Sequence, residues 1–308
     1  MKVKVFAKLN LTLKVGAKQG EFHLIDSVAT SVDICDTVEV VRRADMQVKV
    51  CGVQCVEQER NTAYKAAVAF RRAFAHKTVA GVDIVIHKGI PFGGGLGGSS
   101  ADAAAVVYCM CKLFDVDIHS REIHELCASL GSDTKFMLFG GLGRLQGKGD
   151  NVSYYKMAEP LYFALTTFDV SMNSGEIYSA FDTLRSSRAG KNFIGCHCVE
   201  GSPVHEELSV SEPTEALLNL LQQGANGKAI SLCFNDLQKA TSRVSNYAKE
   251  YLSFIKSHGL MCNMTGSGSA YYVACVTKKE AEQVSELLNS HGFTTIICVS
   301  VPSGIAEI

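Results

Sequence analysis

From Val3 to Val15 an apolar residue recurs at every second position: Val3, Val5, Ala7, Leu9, Leu11, Leu13 and Val15. Lys4, Lys8, Asn10, Thr12 and Lys14 fall between them. Side chains of an extended chain alternate sides, so the pattern predicts one half-buried strand. By pattern alone Lys8 is then a solvent-facing lysine like Lys2 and Lys4. Asp36–Val41, Met46–Val50 and Val82–Ile86 read as further strands. Ala63, Ala66, Ala67, Phe70 and Phe74 recur at helical spacing and predict a helix over Thr62–Phe74. Similar patterns predict helices over Ala101–Phe114, Arg121–Leu130 (stopped by Gly131), 214–222, 236–257 and Lys279–Ser290. Strands are expected at Ala270–Val276 and Thr294–Val299, so the chain ends in a β-α-β resembling half of a ferredoxin-like unit. The stretch from Ser186 to Glu212 is poor in large apolar residues and rich in Ser, Gly and Glu, which predicts a surface excursion.

A chain of 308 residues, 47% hydrophobic and 20% charged, carries ample core material for one large or two medium domains. We place a boundary near 150–160, giving domains 1–155 and 156–308. A net charge of −1 removes the electrostatic case for nucleic acid or an anionic membrane. No apolar run approaches the roughly 20 residues of a membrane span, and the N-terminus lacks the apolar core of a signal peptide. The 12 cysteines are too sparse for a disulfide scaffold, and several (Cys109, Cys111, Cys233, Cys275, Cys298) lie inside apolar runs. Cys51 with Cys55, and Cys196-His197-Cys198, approach ligand spacing but lack a second pair, so no metal-ligand set is predicted. A reduced, cytoplasmic protein is expected, monomeric or homodimeric.

The chemistry lies in Pro91-Phe92-Gly93-Gly94-Gly95-Leu96-Gly97-Gly98-Ser99-Ser100-Ala101, between a predicted strand and an alanine-rich helix. Glycines there let successive N–H groups turn inward on phosphate oxygens, and the helix behind adds unpaired N–H groups and its positive dipole end. Ser99 and Ser100 stand where a hydroxyl either caps that helix or touches a phosphate or its metal. The Walker pattern requires Lys after its last glycine, and Ser99 follows Gly98. Gly93-x-Gly95-x-x-Gly98 meets the dinucleotide fingerprint, but a Rossmann unit needs a second parallel strand soon after the helix. Here Val116-Asp117-Ile118 leads straight into another helix.

The loop resembles the central motif of the GHMP kinases, small-molecule kinases that hold ATP phosphates at a helix N-terminus. Ala7-Lys8-Leu9-Asn10-Leu11-Thr12-Leu13 resembles that family's first motif, and Met264-Thr265-Gly266-Ser267-Gly268-Ser269-Ala270 its third. Within the family the pattern is most similar to members that phosphorylate the 2-hydroxyl of a cytidylylated sugar alcohol in non-mevalonate isoprenoid synthesis. Gly20-Glu21-Phe22-His23 resembles their cytosine-holding Gly-Tyr-His segment, and Arg60-Asn61-Thr62 their Asn-Leu helix start. Leu130-Gly131-Ser132-Asp133 resembles their Leu-Gly-Ala-Asp, and Asn235-Asp236-Leu237 extends the match. Phe22 departs from the usual Tyr, Lys135-Phe136 from Pro-Val or Pro-Phe, and Ser174 from Thr. Other members acting on homoserine or mevalonate, or a nucleotide-binding module without catalysis, are the alternatives.

The resemblance implies an α+β fold in two lobes: a mixed α/β N-terminal lobe with the glycine loop, and a ferredoxin-like C-terminal lobe, ATP and substrate meeting between them. It implies Asp133 as acceptor of the hydroxyl proton and Lys8 as the cation that keeps Asp133 ionised beside the incoming oxygen. Asn10 would reach the same substrate, His23 would meet the cytosine, and Phe22 and Tyr178 would sandwich it. Ser174, Gly266 and Gly268 complete the substrate side, with the two glycines in a tight turn against the first strand. Asn61 and Lys88 are implied on the adenine side, and Pro91 through Ala101 around the phosphates. Mg²⁺ accompanies ATP, with Ser100 its best protein contact.

Overall fold

The computed structural model describes residues 1–52, 58–170, 172–186 and 212–308. The excursion expected between Ser186 and Glu212 lies almost wholly outside them, as does the Cys196-His197-Cys198 cluster.

The N-terminal alternation does not make one strand. It makes β1 (Lys2–Asn10) and β2 (Thr12–Gln19), interrupted at Leu11, where a later segment of the chain joins the strand. Leu11 donates to the Val28 carbonyl at 2.7 Å and accepts from the Phe234 amide at 3.1 Å. Nor is the polar face wet throughout. Lys2 and Lys4 are exposed, but Lys8, Asn10 and Thr12 are buried because later segments fold over them.

β3 (Phe22–Arg42) is the spine of the sheet, pairing with β1 and β2 and contributing the strand expected at 36–41. β4 (Val48–Cys51) follows, then α1 (Thr62–Ala73), which buries Ala63, Ala66, Ala67 and Phe70 as the spacing predicts. β5 (Val82–His87) pairs antiparallel to β3 and delivers the chain to the glycine loop. Out of the loop come α2 (Gly98–Phe114), packed on α1 and across β1 and β3, then α3 (Arg121–Leu130) and α4 (Thr134–Phe139). No strand separates α2 from α3, as a Rossmann unit would require. β6 (Leu142–Gly147) returns along β3, with β7 (Asn151–Tyr155) as its hairpin partner.

The second half begins with β8 (Tyr162–Thr166), α5 (Ser174–Ser186), α6 (Glu212–Gln222), α7 (Asn226–Ala229) and β9 (Phe234–Asn235). The helix expected over 236–257 is two, α8 (Gln238–Val244) and α9 (Asn246–Ser257). Ser245 is extended between them, and its hydroxyl accepts from the Ala248 amide, so a new N-cap replaces a continued helix. β10 (Asn263–Met264), β11 (Tyr271–Cys275), α10 (Lys278–Ser290), β12 (Thr295–Val301) and β13 (Ile305–Glu307) complete the chain. β11 and β12, joined by α10, form the β-α-β expected from the pattern, and β8 lies between them, antiparallel to each. α10 opens on a capping box between Thr277 and Glu280.

The main path of the sheet runs β10-β11-β8-β12-β3-β1-β13, so one sheet serves both halves. The last strand comes back to β1, with Val3 opposite Glu307. One apolar core lies under α1 and α2. A second gathers Leu13, Ile177, Leu237, Tyr251 and Tyr271. Among the described residues no helix is long and apolar enough to cross a membrane.

Candidate active site

A cavity of about 950 Å³ opens along the glycine loop and runs past β1 to the N-terminus of α5. The loop's chemistry follows from where its carbonyls point. Gly93 O accepts from Ser269 N (3.1 Å), Gly94 O from Ala270 N (3.2 Å), Leu96 O from Lys8 N (3.0 Å) and Gly97 O from Ala101 N (2.8 Å). Thr265 Oγ1 donates to Gly95 O at 3.3 Å. With the carbonyls turned into the protein, the amides from Gly93 to Ser100 have no acceptor among the described residues. A row of free N–H groups at a helix start is an anion site. Gly95 must be glycine: φ is +73°, and a Cβ would stand 2.3 Å from Thr265 O.

α2 begins at Gly98, three residues before the apolar pattern, with Gly97 as a left-handed N-cap that makes no side-chain bond. Ser99 and Ser100 therefore do not cap the helix. They occupy its first turn and line the cavity. Ala101, expected with them, faces the core instead and is absent from the cavity wall.

Lys8 and Asp133 meet at the cavity wall, Nζ to Oδ2 at 3.5 Å. Lys8 is only 4% exposed. Asp133 occupies the N-cap position of α4 yet makes no capping bond, which leaves its carboxylate to the cavity and Lys8. Asn10 sets the lysine: its Oδ1 accepts from Lys8 Nζ at 2.5 Å and from Gly266 N at 3.0 Å, while Nδ2 donates to Ser27 Oγ at 2.8 Å. Through these bonds Asn10 positions the Lys8 ammonium, and it lines the cavity beside it. Gly266 lies in the cavity wall. Gly268 does not, and a Cβ built there would meet the sulfurs of Met264 and Met172.

Beneath the loop Lys88 Nζ bonds to Asp36 Oδ2 and, at 2.9 Å, to Asp102 Oδ2. Asp36 Oδ1 in turn accepts from the amides of Gly89 and Ile90, pinning the loop's entry. Burial, aided by Asp36 and opposed by Lys88, pushes the Asp102 carboxyl up to about 7. Lys88 and Asn61 both reach the cavity wall, but Lys88 is held by carboxylates and Asn61 Oδ1 caps α1 through Ala63 N. Sequence reasoning missed both acids, although Asp102 is the one charged residue in Ser99–Ala105.

At the far end Phe22 and Tyr178 both line the cavity, and Tyr178 has a ring partner of its own. It stacks on His23, centroids 5.0 Å apart at 21°. Phe22 is 56% exposed, with Lys148 Nζ 4.9 Å from its ring centroid. His23 Nε2 lies 2.8 Å from Asp182 Oδ1, a partner whose spacing of four from Tyr178 on one helix was the available signal. Ser174 Oγ bonds Ser267 Oγ at 2.7 Å, tying α5 to the turn after β10.

Residues 61–141 match the model of the GHMP kinases N terminal domain, and residues 215–293 that of the GHMP kinases C terminal. A 4-diphosphocytidyl-2-C-methyl-D-erythritol kinase of Desulfitobacterium hafniense (strain Y51) is 31% identical over 300 residues, 94% of this chain and 91% of that one. The chain belongs to the GHMP kinase family. A second 4-diphosphocytidyl-2-C-methyl-D-erythritol kinase, of Syntrophomonas wolfei, is 35% identical over 182 residues, 58% of this chain and 63% of its own. A solved structure of 4-(cytidine 5'-diphospho)-2C-methyl-D-erythritol kinase superposes with a TM-score of 0.74, at 23% identity, over 98% of this chain and 100% of that one. This GHMP kinase thus has the two-lobed α+β architecture of its family, and the three motifs read in its sequence converge on one cavity.

Proposed function

We infer that this ATP-dependent GHMP kinase phosphorylates the 2-hydroxyl of 4-diphosphocytidyl-2-C-methyl-D-erythritol. The reading is carried by one juxtaposition: a buried ammonium and a carboxylate stand 3.5 Å apart beside a row of amides that have no acceptor among the described residues. The amides from Gly93 to Ser100 hold the triphosphate, and Asp133 takes the proton of the attacking hydroxyl. Lys8, aimed by Asn10, lies beside the incoming oxygen and offsets the negative charge gathered there. The likeness to named relatives supports the cytidylyl substrate, and the ring cluster around His23 supports a base at the far end. Ser100, which lines the cavity and whose hydroxyl bonds no described residue, is fitted to touch a Mg²⁺ that would neutralise β- and γ-phosphate charge.

The test is turnover of ATP with the cytidylyl compound, homoserine and mevalonate offered separately. Only the first is expected to be phosphorylated. Asp133→Asn is expected to lower kcat by roughly 10²–10⁴-fold with nucleotide affinity kept, the range of a lost general base. Activity on homoserine or mevalonate with none on the cytidylyl compound would overturn the substrate, and full activity in Asp133→Asn would overturn the mechanism.

A further inference from the structure

The imidazole of His23 is held on three sides by one helix. Tyr178 stacks on its face, Phe181 stands edge-on at 6.4 Å and 84°, and Asp182 takes its Nε2 at 2.8 Å. Positions 178, 181 and 182 lie on one face of α5, so the grip is built into the helix. The His23 side chain keeps only 6% of its surface exposed, yet His23 lines the cavity. An ionised carboxylate can only accept, so the hydrogen between Asp182 and Nε2 belongs to the ring. In the neutral ring Nδ1 is then left with a lone pair and no proton. Among the described residues nothing bonds to Nδ1.

We propose that Asp182 is a specificity-determining positioning residue: by fixing the proton of His23 on Nε2 it turns Nδ1 into an acceptor that selects a pyrimidine carrying an exocyclic amine over one carrying a carbonyl there. Cytosine presents a donor at that position and uracil a second acceptor, which would meet Nδ1 lone pair to lone pair. This rests on the reading of the cavity as that of a cytidylyl-substrate kinase. It adds what that reading lacks, a reason for the base to be cytosine. Without Asp182 the neutral ring can carry its proton on either nitrogen, and the Nδ1–H form accommodates uracil.

The experiment compares kcat/KM for the cytidylyl compound and its uridylyl counterpart in the wild type, Asp182→Ala and Asp182→Glu. A site built to bond a polar substrate group rejects the wrong partner strongly, so a wild-type preference of about 100-fold or more is expected. Asp182→Ala is expected to cut it to about tenfold or less, acting through KM for the cytidylyl compound, and Asp182→Glu, which restores a carboxylate, to recover most of it. Nitrogen-15 spectra at alkaline pH, with His23 assigned by its loss in His23→Gln, are expected to show the proton on Nε2 in the wild type and a mixture in Asp182→Ala. An unchanged base preference in an active Asp182→Ala, or a wild-type His23 protonated on Nδ1, overturns the proposal and leaves the kinase reading intact. A wild type that phosphorylates homoserine or mevalonate but neither pyrimidine compound overturns the underlying reading, and the proposal with it.

Discussion

Gly95→Ala places a methyl group where the glycine loop touches the turn after β10. Two costs follow from the geometry. An alanine held at φ +73° loses about 1 kcal/mol against the right-handed conformations open to it. Its Cβ would also stand 2.3 Å from Thr265 O and 3.1 Å from Gly268 O, both main-chain atoms that no rotamer change can move. The loop must therefore lift, and lifting loosens the bonds from Ser269 N to Gly93 O, Ala270 N to Gly94 O and Thr265 Oγ1 to Gly95 O. At about 1 kcal/mol each, the loss reaches roughly 3–4 kcal/mol, or more than a hundredfold in an equilibrium constant. Gly94→Ala is the control, because its Cβ would meet only side chains, the closest at 3.3 Å. Titration calorimetry with ATP is expected to show affinity falling by about two orders of magnitude in Gly95→Ala and by less than about threefold in Gly94→Ala. Thermal melts would confirm that both variants are folded. A folded Gly95→Ala that binds ATP like the wild type would refute the assignment of these amides to the phosphates.

Two further predictions concern buried charge. Arg144 donates through Nε and Nη2 to the two oxygens of Asp26, each at 2.8 Å, and Asp26 is 2% exposed. Arg144→Leu strands that carboxylate, at a cost of roughly 3–5 kcal/mol, and a drop in Tm of about 10 °C is expected, partly restored by adding Asp26→Leu. A fall of less than about 2 °C would show that the pair is not buried as described. Asp102, its carboxyl raised to about 7 by burial, holds its proton more tightly in the folded chain than in the unfolded one. Ionising it therefore costs the folded state a few kcal/mol, a cost that grows as pH rises from about 4 to about 7 and then levels. The non-ionising Asp102→Asn is expected to gain stability over the wild type between pH 5 and pH 8 in denaturant titrations, and a flat or reversed difference would contradict the assignment.

Local pattern was enough to read many of the elements. The alternation of β1, the Ala63-to-Phe70 stripe of α1 and the boundaries of α3 follow from neighbours two to four residues apart, which set side-chain direction whatever the rest of the chain does. The glycine loop was legible for the same reason, since its conformational freedom belongs to its own residues. Where one segment lands on another was not legible. Lys8 is indistinguishable from Lys4 along β1, and only the glycine loop and the Thr265-Gly266 turn folding over it make it buried and aimed.

The break at Leu11 goes with a hydrogen bond from distant chain, whereas the restart at Ser245 is a local cap, its hydroxyl accepting from the Ala248 amide three residues on. The sequence alone determined many of the strands and helices, and that a glycine-rich loop joins a strand to a helix. The tertiary structure decided which polar residues leave water: Asn10 bridging to Gly266, Asp36 and Asp102 around Lys88, and Asp182 behind His23. Burial and charge pairing depend on contacts between residues far apart in the chain, and no periodicity along it encodes them.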